Sequence, residues 1–307
     1  MRSNRIDGKR EGVVSSPRGG RTQTLGKLTL SVSREAKMED LFQKIVLCPN
    51  CKAGRLLPPS NINGEVRCSA CATQYPVKEG VLDLLPASPH KQTLAQWTME
   101  FEPIVRIYES RLWRRSPIVT ALMGISFEQE YETITRAAKL DGSEILLDLA
   151  CGPGIYARPL AHQLTHGMVV GLDLSMPMLT YASRRARMEG RDNLLLIHGD
   201  ATDLPLSESR FDVVNCCGAL HLFSDLHRVL GHVTRVLKPG GRFTIAAFRK
   251  RASMLAERAV RLRQSVIGMN AFRPDELESQ FTQAGLGDVE CHHAKGVWLI
   301  MSATKQS

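Results

Sequence analysis

The sequence predicts an α/β protein: a doubly wound, mostly parallel sheet covered by helices, ended by an antiparallel hairpin and preceded by a small cysteine-rich module. Three observations lead there. After Ser143, apolar runs of strand length alternate with amphipathic helical stretches, the pattern of parallel strands joined by helical crossovers. Near the end, two strand-like runs are joined only by Ala294-Lys-Gly296, too short a link for a parallel crossover. Ahead of both, four cysteines fall in two C-x2-C pairs. The 307 residues, 43% hydrophobic and 23% charged, suffice for one large core plus something smaller.

In chain order, strands are expected at 145–150, 168–174, 193–198, 211–217 and 242–248, with helices from Ile155, Met176 and Asp225. The hairpin adds 287–293 and 297–303, making a seven-stranded, Rossmann-like sheet. Residues 93–140 read as helices, because Leu94, Trp97, Phe101, Ile104, Val105 and Tyr108 recur at roughly helical spacing. The expected organisation is therefore a basic tail over 1–40, the cysteine module over 41–90, a helical lid or linker over 91–140 and the α/β domain over 141–307. No apolar run is long enough to span a membrane.

The formal charge of +9 is concentrated at the start, where residues 1–37 hold nine basic and three acidic residues and the remainder carries only +3. That tail, rich in Ser, Gly and Arg, cannot bury enough to order itself. It lacks the apolar stretch of a secretory signal. Two readings stand: translation starting at Met38, or an Arg-rich organellar transit peptide.

Cys48, Cys51, Cys68 and Cys71 have the spacing of a zinc ribbon, in which two tight knuckles close a tetrahedron of thiolates. With no open ligand position, the zinc is expected to be structural. Two unrelated redox pairs are the alternative, although neither pair borders a βαβ pattern. Free thiolates also imply a reducing, cytoplasmic setting. Gln74–Pro86 reads as two short strands about a Glu79-Gly80 turn.

The first long strand runs into Asp148-Leu-Ala-Cys-Gly-Pro-Gly-Ile-Tyr-Ala157, a glycine-rich turn where open α/β sheets bind ligands. Gly152 and Gly154 allow close backbone approach. The turn also fits a dinucleotide fingerprint, but Asp148 beside it would repel a pyrophosphate and suits a ligand bearing an ammonium and a sulfonium. S-adenosylmethionine is such a ligand. Asp173 ends the second strand, placed to accept from both ribose hydroxyls. Asp200 ends the third, placed to accept from an adenine amino group, with Leu174 and Ala201 flanking the ring.

Together with Gly199–Leu206, Phe211–Gly218 and Arg235-Val-Leu-Lys-Pro-Gly-Gly241, these segments resemble the successive motifs of class I S-adenosylmethionine-dependent methyltransferases, over about residues 125–303. Within that superfamily the pattern is similar to the ubiquinone/menaquinone C-methyltransferase-like group, and residues 45–86 resemble the zinc ribbons fused to some methyltransferases. The resemblance implies methyl transfer, and contact of Cys216 and Cys217 with the methionine part of the donor, mostly through backbone. Ala150 replaces the usual first glycine of the loop, a change tolerable if its φ stays negative.

Methyl transfer to an activated donor carbon needs alignment first and a base only where the acceptor must lose a proton. His221, just past the fourth strand, is the candidate base, with a pocket-lining role as its rival. Trp97, Phe101, Tyr108, Trp113 and Tyr131 could enclose a flat acceptor or simply fill core. The adjacent His292 and His293 point to opposite sides of a strand and cannot share a metal. The expected partner is a small-molecule acceptor. The rival is RNA gripped by the ribbon and by basic residues at Arg184, Arg185, Arg187 and 249–263, whose plainer role is a solvated helix face. A fold that has lost its chemistry is the third reading.

Overall fold

The computed structural model describes residues 38–57, 62–85, 116–250 and 270–307. The chain divides after Asp40, and the elements of the sheet all belong to the unit from Leu41 onward. Trp97, Phe101, Tyr108 and Trp113, the linker 86–115 and the basic stretch 251–263 lie outside the described residues.

Strand β1 (Gly64–Arg67), β2 (Gln74–Lys78) and β3 (Val81–Asp83) form the cysteine-rich module. Helices α1 (Pro117–Met123) and α2 (Phe127–Ala138) come next. Ser126 caps α2 by a reciprocal pair of bonds with Gln129, the arrangement that satisfies two orphan amides at a helix start. The α/β unit then runs β4 (Ile145–Leu149), α3 (Ala157–Gln163), β5 (Met168–Asp173), α4 (Met176–Met188), β6 (Leu194–His198) and β7 (Phe211–Cys217). After β7 come α5 (Leu226–Val236), β8 (Leu237–Phe248), α6 (Pro274–Gln283), β9 (Leu286–His293) and β10 (Trp298–Lys305).

Among the described residues these strands form one sheet of order β1-β2-β3-β6-β5-β4-β7-β8-β10-β9. The seven strands from β4 onward include the expected parallel set and the antiparallel β9–β10 hairpin. β4 runs parallel to both β5 and β7, so the chain reverses its direction of winding there and opens a crevice at the carboxyl ends. Buried Leu146, Val169, Leu196, Val213, Leu160 and Leu179 pack strands against helices in one continuous core.

The module joins the edge of the large sheet. β3 lies parallel to β6, pairing Val81 with Leu196 and Asp83 with His198, so the ribbon strands cover one edge of the sheet while the hairpin covers the other. Capping an edge in this way removes a template for unwanted pairing. The module is also tied to helix α4, where Arg184 makes a bidentate pair with Glu79 and Ser183 donates to the Glu79 carbonyl.

Candidate active site and metal centre

β4 delivers Asp148 to the bottom of the crevice, fully buried. Asn215 lies opposite it in the β4–β7 register, and its amide donates to Asp148 Oδ1 at 2.6 Å. Asn215 Oδ1 in turn accepts from Thr244 Oγ1 and from the Cys217 thiol, each at 3.0 Å. Among the described residues, Asp148 Oδ2 has no hydrogen-bond partner. Burial, opposed by the Asn215 bond and the nearby Ala157 amide and reinforced by the Asp173 charge, pushes Asp148 up to about 7. A buried oxygen left without a partner carries a cost of roughly 1–3 kcal/mol, which a cationic donor group would relieve. This orphaned oxygen fits the ammonium that the sequence leads one to expect.

The turn above Asp148 is held by Asp173. The Gly152 N–H donates to its Oδ2 at 2.7 Å and the Ser175 N–H to its Oδ1 at 2.8 Å. Burial raises Asp173, while these two amides and the His198 ring oppose the rise. Two bonds leave lone pairs over, since an ionised carboxylate has about four. Gly152 and Gly154 both take positive φ, 52° and 77°. Ala150 does so too, at 56°, which corrects the expectation of a negative φ: the backbone there follows the path a glycine would take, and the methyl group is carried in a conformation costing about 1–2 kcal/mol.

Asp200 begins the loop after β6, and its Oδ1 accepts from the Thr202 amide at 2.7 Å and hydroxyl at 2.8 Å. Ala201 is buried and Leu174 half-buried. Cys216 and Cys217 close β7, both buried. Burial pushes the thiols of Cys151 and Cys216 up, so they stay protonated and offer no thiolate nucleophile. Asp148 and Asp173 thus lie at the carboxyl ends of β4 and β5, and Asp200 lies two residues past the end of the neighbouring β6.

His221 sits in a short 3-10 turn past β7. It is buried, burial pulls it down to about 4, and among the described residues its Nδ1 has no partner. The ring meets Phe248 edge-on at 4.5 Å, and Phe248 meets Trp298 in the same manner at 5.2 Å. Trp298 Nε1 and the Tyr156 hydroxyl both donate to Glu130 Oε1, at 3.0 and 2.5 Å. This chain of contacts was not foreseen from sequence, because its members come from five separate segments. Of the expected aromatics, Tyr131 is described; its hydroxyl donates to Gln163 at 3.3 Å, and burial pushes it up to about 12. His292 and His293 go separate ways, to Ser302 Oγ and the Met123 carbonyl.

The four cysteines of the module converge, their sulfurs all within 4.8 Å of one another. Cys48 and Cys71 are 3.6 Å apart, Cys51 and Cys68 3.7 Å. Four thiolates about 2.3 Å from one ion would stand about 3.8 Å apart, so the cage has the right size. Amides of Gly54, Ala70 and Cys71 donate to Sγ of Cys51 or Cys68, and hydroxyls of Tyr75 and Thr73 reach Cys48 and Cys71. Gly54 is needed here, since a Cβ there would lie 2.1 Å from Cys68 Sγ.

A family described as a methyltransferase domain matches residues 146–241, the span from β4 into β8. Over that span the chain is similar to known methyltransferase domains. It is 26% identical over 222 residues to an uncharacterised chloroplastic methyltransferase of Arabidopsis thaliana, 67% of this chain and 62% of that one. It is 38% identical over 123 residues to a demethylmenaquinone methyltransferase of Lactococcus lactis, 38% of this chain and 48% of that one. The alignments thus span about half to three fifths of these two relatives. A phosphoethanolamine N-methyltransferase of Haemonchus contortus, solved with S-adenosylmethionine, shares the fold of the methyltransferase domain at a TM-score of 0.56 and 17% identity, covering 72% of this chain and 62% of that one. No helix among the described residues is long and apolar enough to cross a membrane.

Proposed function

We propose that the protein transfers a methyl group from S-adenosylmethionine to a small, flat or apolar acceptor, and holds a structural zinc ion in its ribbon. The observation that carries the reading is the buried, unpartnered Asp148 oxygen beneath the glycine turn at the switch point of a methyltransferase fold. The donor supplies a methyl carbon already activated by a sulfonium. This chain's residues do the rest. Asp148 anchors the amino-acid ammonium, Asp173 the ribose, and Asp200 the adenine between Leu174 and Ala201, so that the reacting carbon faces the acceptor. Alignment of this kind converts an encounter into a step within one complex. Cys48, Cys51, Cys68 and Cys71 would hold zinc with no position left for a substrate, a stabilising rather than catalytic use.

His221, uncharged at neutral pH and with Nδ1 unsatisfied, is available to accept a proton from an acceptor hydroxyl or carbon acid. Its depressed basicity makes it a weak base. The aromatic chain through Phe248 and Trp298 beside it supports a ring-bearing acceptor, in keeping with the quinone-type name of the Lactococcus relative. An RNA substrate is less well supported, because Arg184 and Arg187 of the basic cluster are engaged with Glu79. The chloroplastic relative lends weight to an organellar setting over a cytoplasmic one.

The test is to incubate the purified protein with methyl-labelled S-adenosylmethionine and separate small-metabolite, lipid and RNA extracts. Label is expected in the small-metabolite or lipid fraction. Label in RNA alone, with affinity falling steeply as salt rises, would replace the small-molecule reading.

A further inference from the structure

We infer that Asp83 and His198 are positioning residues for the donor pocket, and that through them the cysteine-rich module is an integral part of that pocket. The inference rests on the reading of the crevice as a donor site. β3 lies on β6 in the register that sets Asp83 against His198. Asp83 Oδ1 is 2.7 Å from His198 Nδ1, and His198 Nε2 is 3.0 Å from the Leu174 carbonyl oxygen. A carboxylate and a carbonyl only accept, so the imidazole donates from both nitrogens and ties the two together. Both side chains are largely shielded, at 16% and 15% exposure, where a charge-assisted bond keeps its strength.

Each end of this relay matters to the donor. Leu174 follows Asp173, the residue that holds the Gly152 and Ser175 amides, and the His198 ring is one of the groups that favour the Asp173 carboxylate against burial. Asp200 is two residues past His198, and the intervening Gly199 N–H donates to the Asp173 carbonyl at 3.0 Å. The Leu84 N–H fastens the module to the His198 carbonyl, also at 3.0 Å. A second strap reaches the loop past Asp200, with the Leu47 N–H donating to the Pro205 carbonyl, the Ser207 N–H to that of Ile45, and Lys52 pairing with Asp203. The Glu79 anchor on α4 lends mechanical attachment. The Asp83 anchor ends on the backbone that places ribose and adenine.

Full-length wild type, Asp83→Asn, His198→Gln and Leu82→Ala are titrated with S-adenosylmethionine by calorimetry well below their melting temperatures, with thermal melts and zinc content in parallel. Asp83→Asn and His198→Gln are each expected to weaken binding roughly fivefold or more, with zinc retained. Their double variant binds no worse than either single one, since both break one relay. In protein labelled with 15N at histidine, Asp83→Asn removes one of the two His198 ring N–H signals. Leu82→Ala opens a cavity beside Asp83, lowers the melting temperature, and leaves both that signal and the affinity unchanged. Wild-type affinity in Asp83→Asn overturns the proposal, as does a loss shared by Leu82→Ala in proportion to its lost stability. Should Asp83→Asn not fold, His198→Gln against Leu82→Ala decides the matter alone. Wild type that ignores S-adenosylmethionine sinks the donor reading instead.

Discussion

The cysteine cage and the donor crevice are both clusters of reactive groups, yet they are finished to different degrees. Around the cage, backbone amides and the hydroxyls of Tyr75 and Thr73 meet the sulfurs. In the crevice, a carboxylate oxygen of Asp148 and a ring nitrogen of His221 are buried and find no partner among the described residues. Native proteins seldom leave such groups orphaned. The cage offers four sulfurs already supported by donors, a setting that could hold an ion, whereas the crevice offers polar atoms that a ligand could satisfy.

The sharpest way to break the contrast is to open the cage. Cys68→Ser is expected to release the metal and cost at least about 4 kcal/mol, read by denaturant unfolding and metal analysis. Gly54→Ala should follow it in direction, since its methyl group would collide with Cys68 Sγ.

Next in size is the crevice. Asp148→Asn should weaken S-adenosylmethionine binding about a hundredfold by calorimetry, because it removes the charge that faces the ammonium. The same residue sets a pH dependence. Its folded value, about 7, lies above the usual 3.8, so in the ligand-free protein its neutral form stabilises the fold at low pH and that contribution is lost as pH rises through 7. Donor binding needs the ionised form and runs the other way: affinity falls below pH 7 towards tenfold per unit, with proton release visible between buffers of different ionisation enthalpy. A flat profile from pH 5 to 8 would remove Asp148 from the ammonium site.

An effect of similar size, on turnover instead of donor binding, is expected at His221. His221→Ala should lower turnover roughly a hundredfold while donor affinity changes little, and unchanged turnover would leave His221 a pocket wall. Smallest is Ala150→Gly, expected to stabilise the fold by about 1 kcal/mol through relief of the positive φ, measured as a rise in melting temperature.

Much of this could be read along the chain because it is local. Strand and helix periods, the turn at Glu79-Gly80 and the C-x2-C knuckles each depend on residues a few positions apart. The three acids were legible for the same reason, each standing at the end of an apolar run. Asn215 left a faint signal, a lone amide inside the apolar run 211–217, that points to the Asp148 partnership once β4 is laid beside β7. The Glu130, Tyr156, Trp298 and Phe248 chain left none, since its members lie up to 168 residues apart.

The sequence by itself determined the kind of sheet, the order of its elements and the acidic residues near its carboxyl edge, because hydrophobic period and turn chemistry act over short range. Only the tertiary structure decided that the ribbon joins the sheet through β3 and β6, that Asp83 reaches His198, and that Ala150 takes a glycine's path. Those outcomes come from packing elements far apart in the chain, where register, burial and the shielding of charge are settled together and no single stretch carries the information.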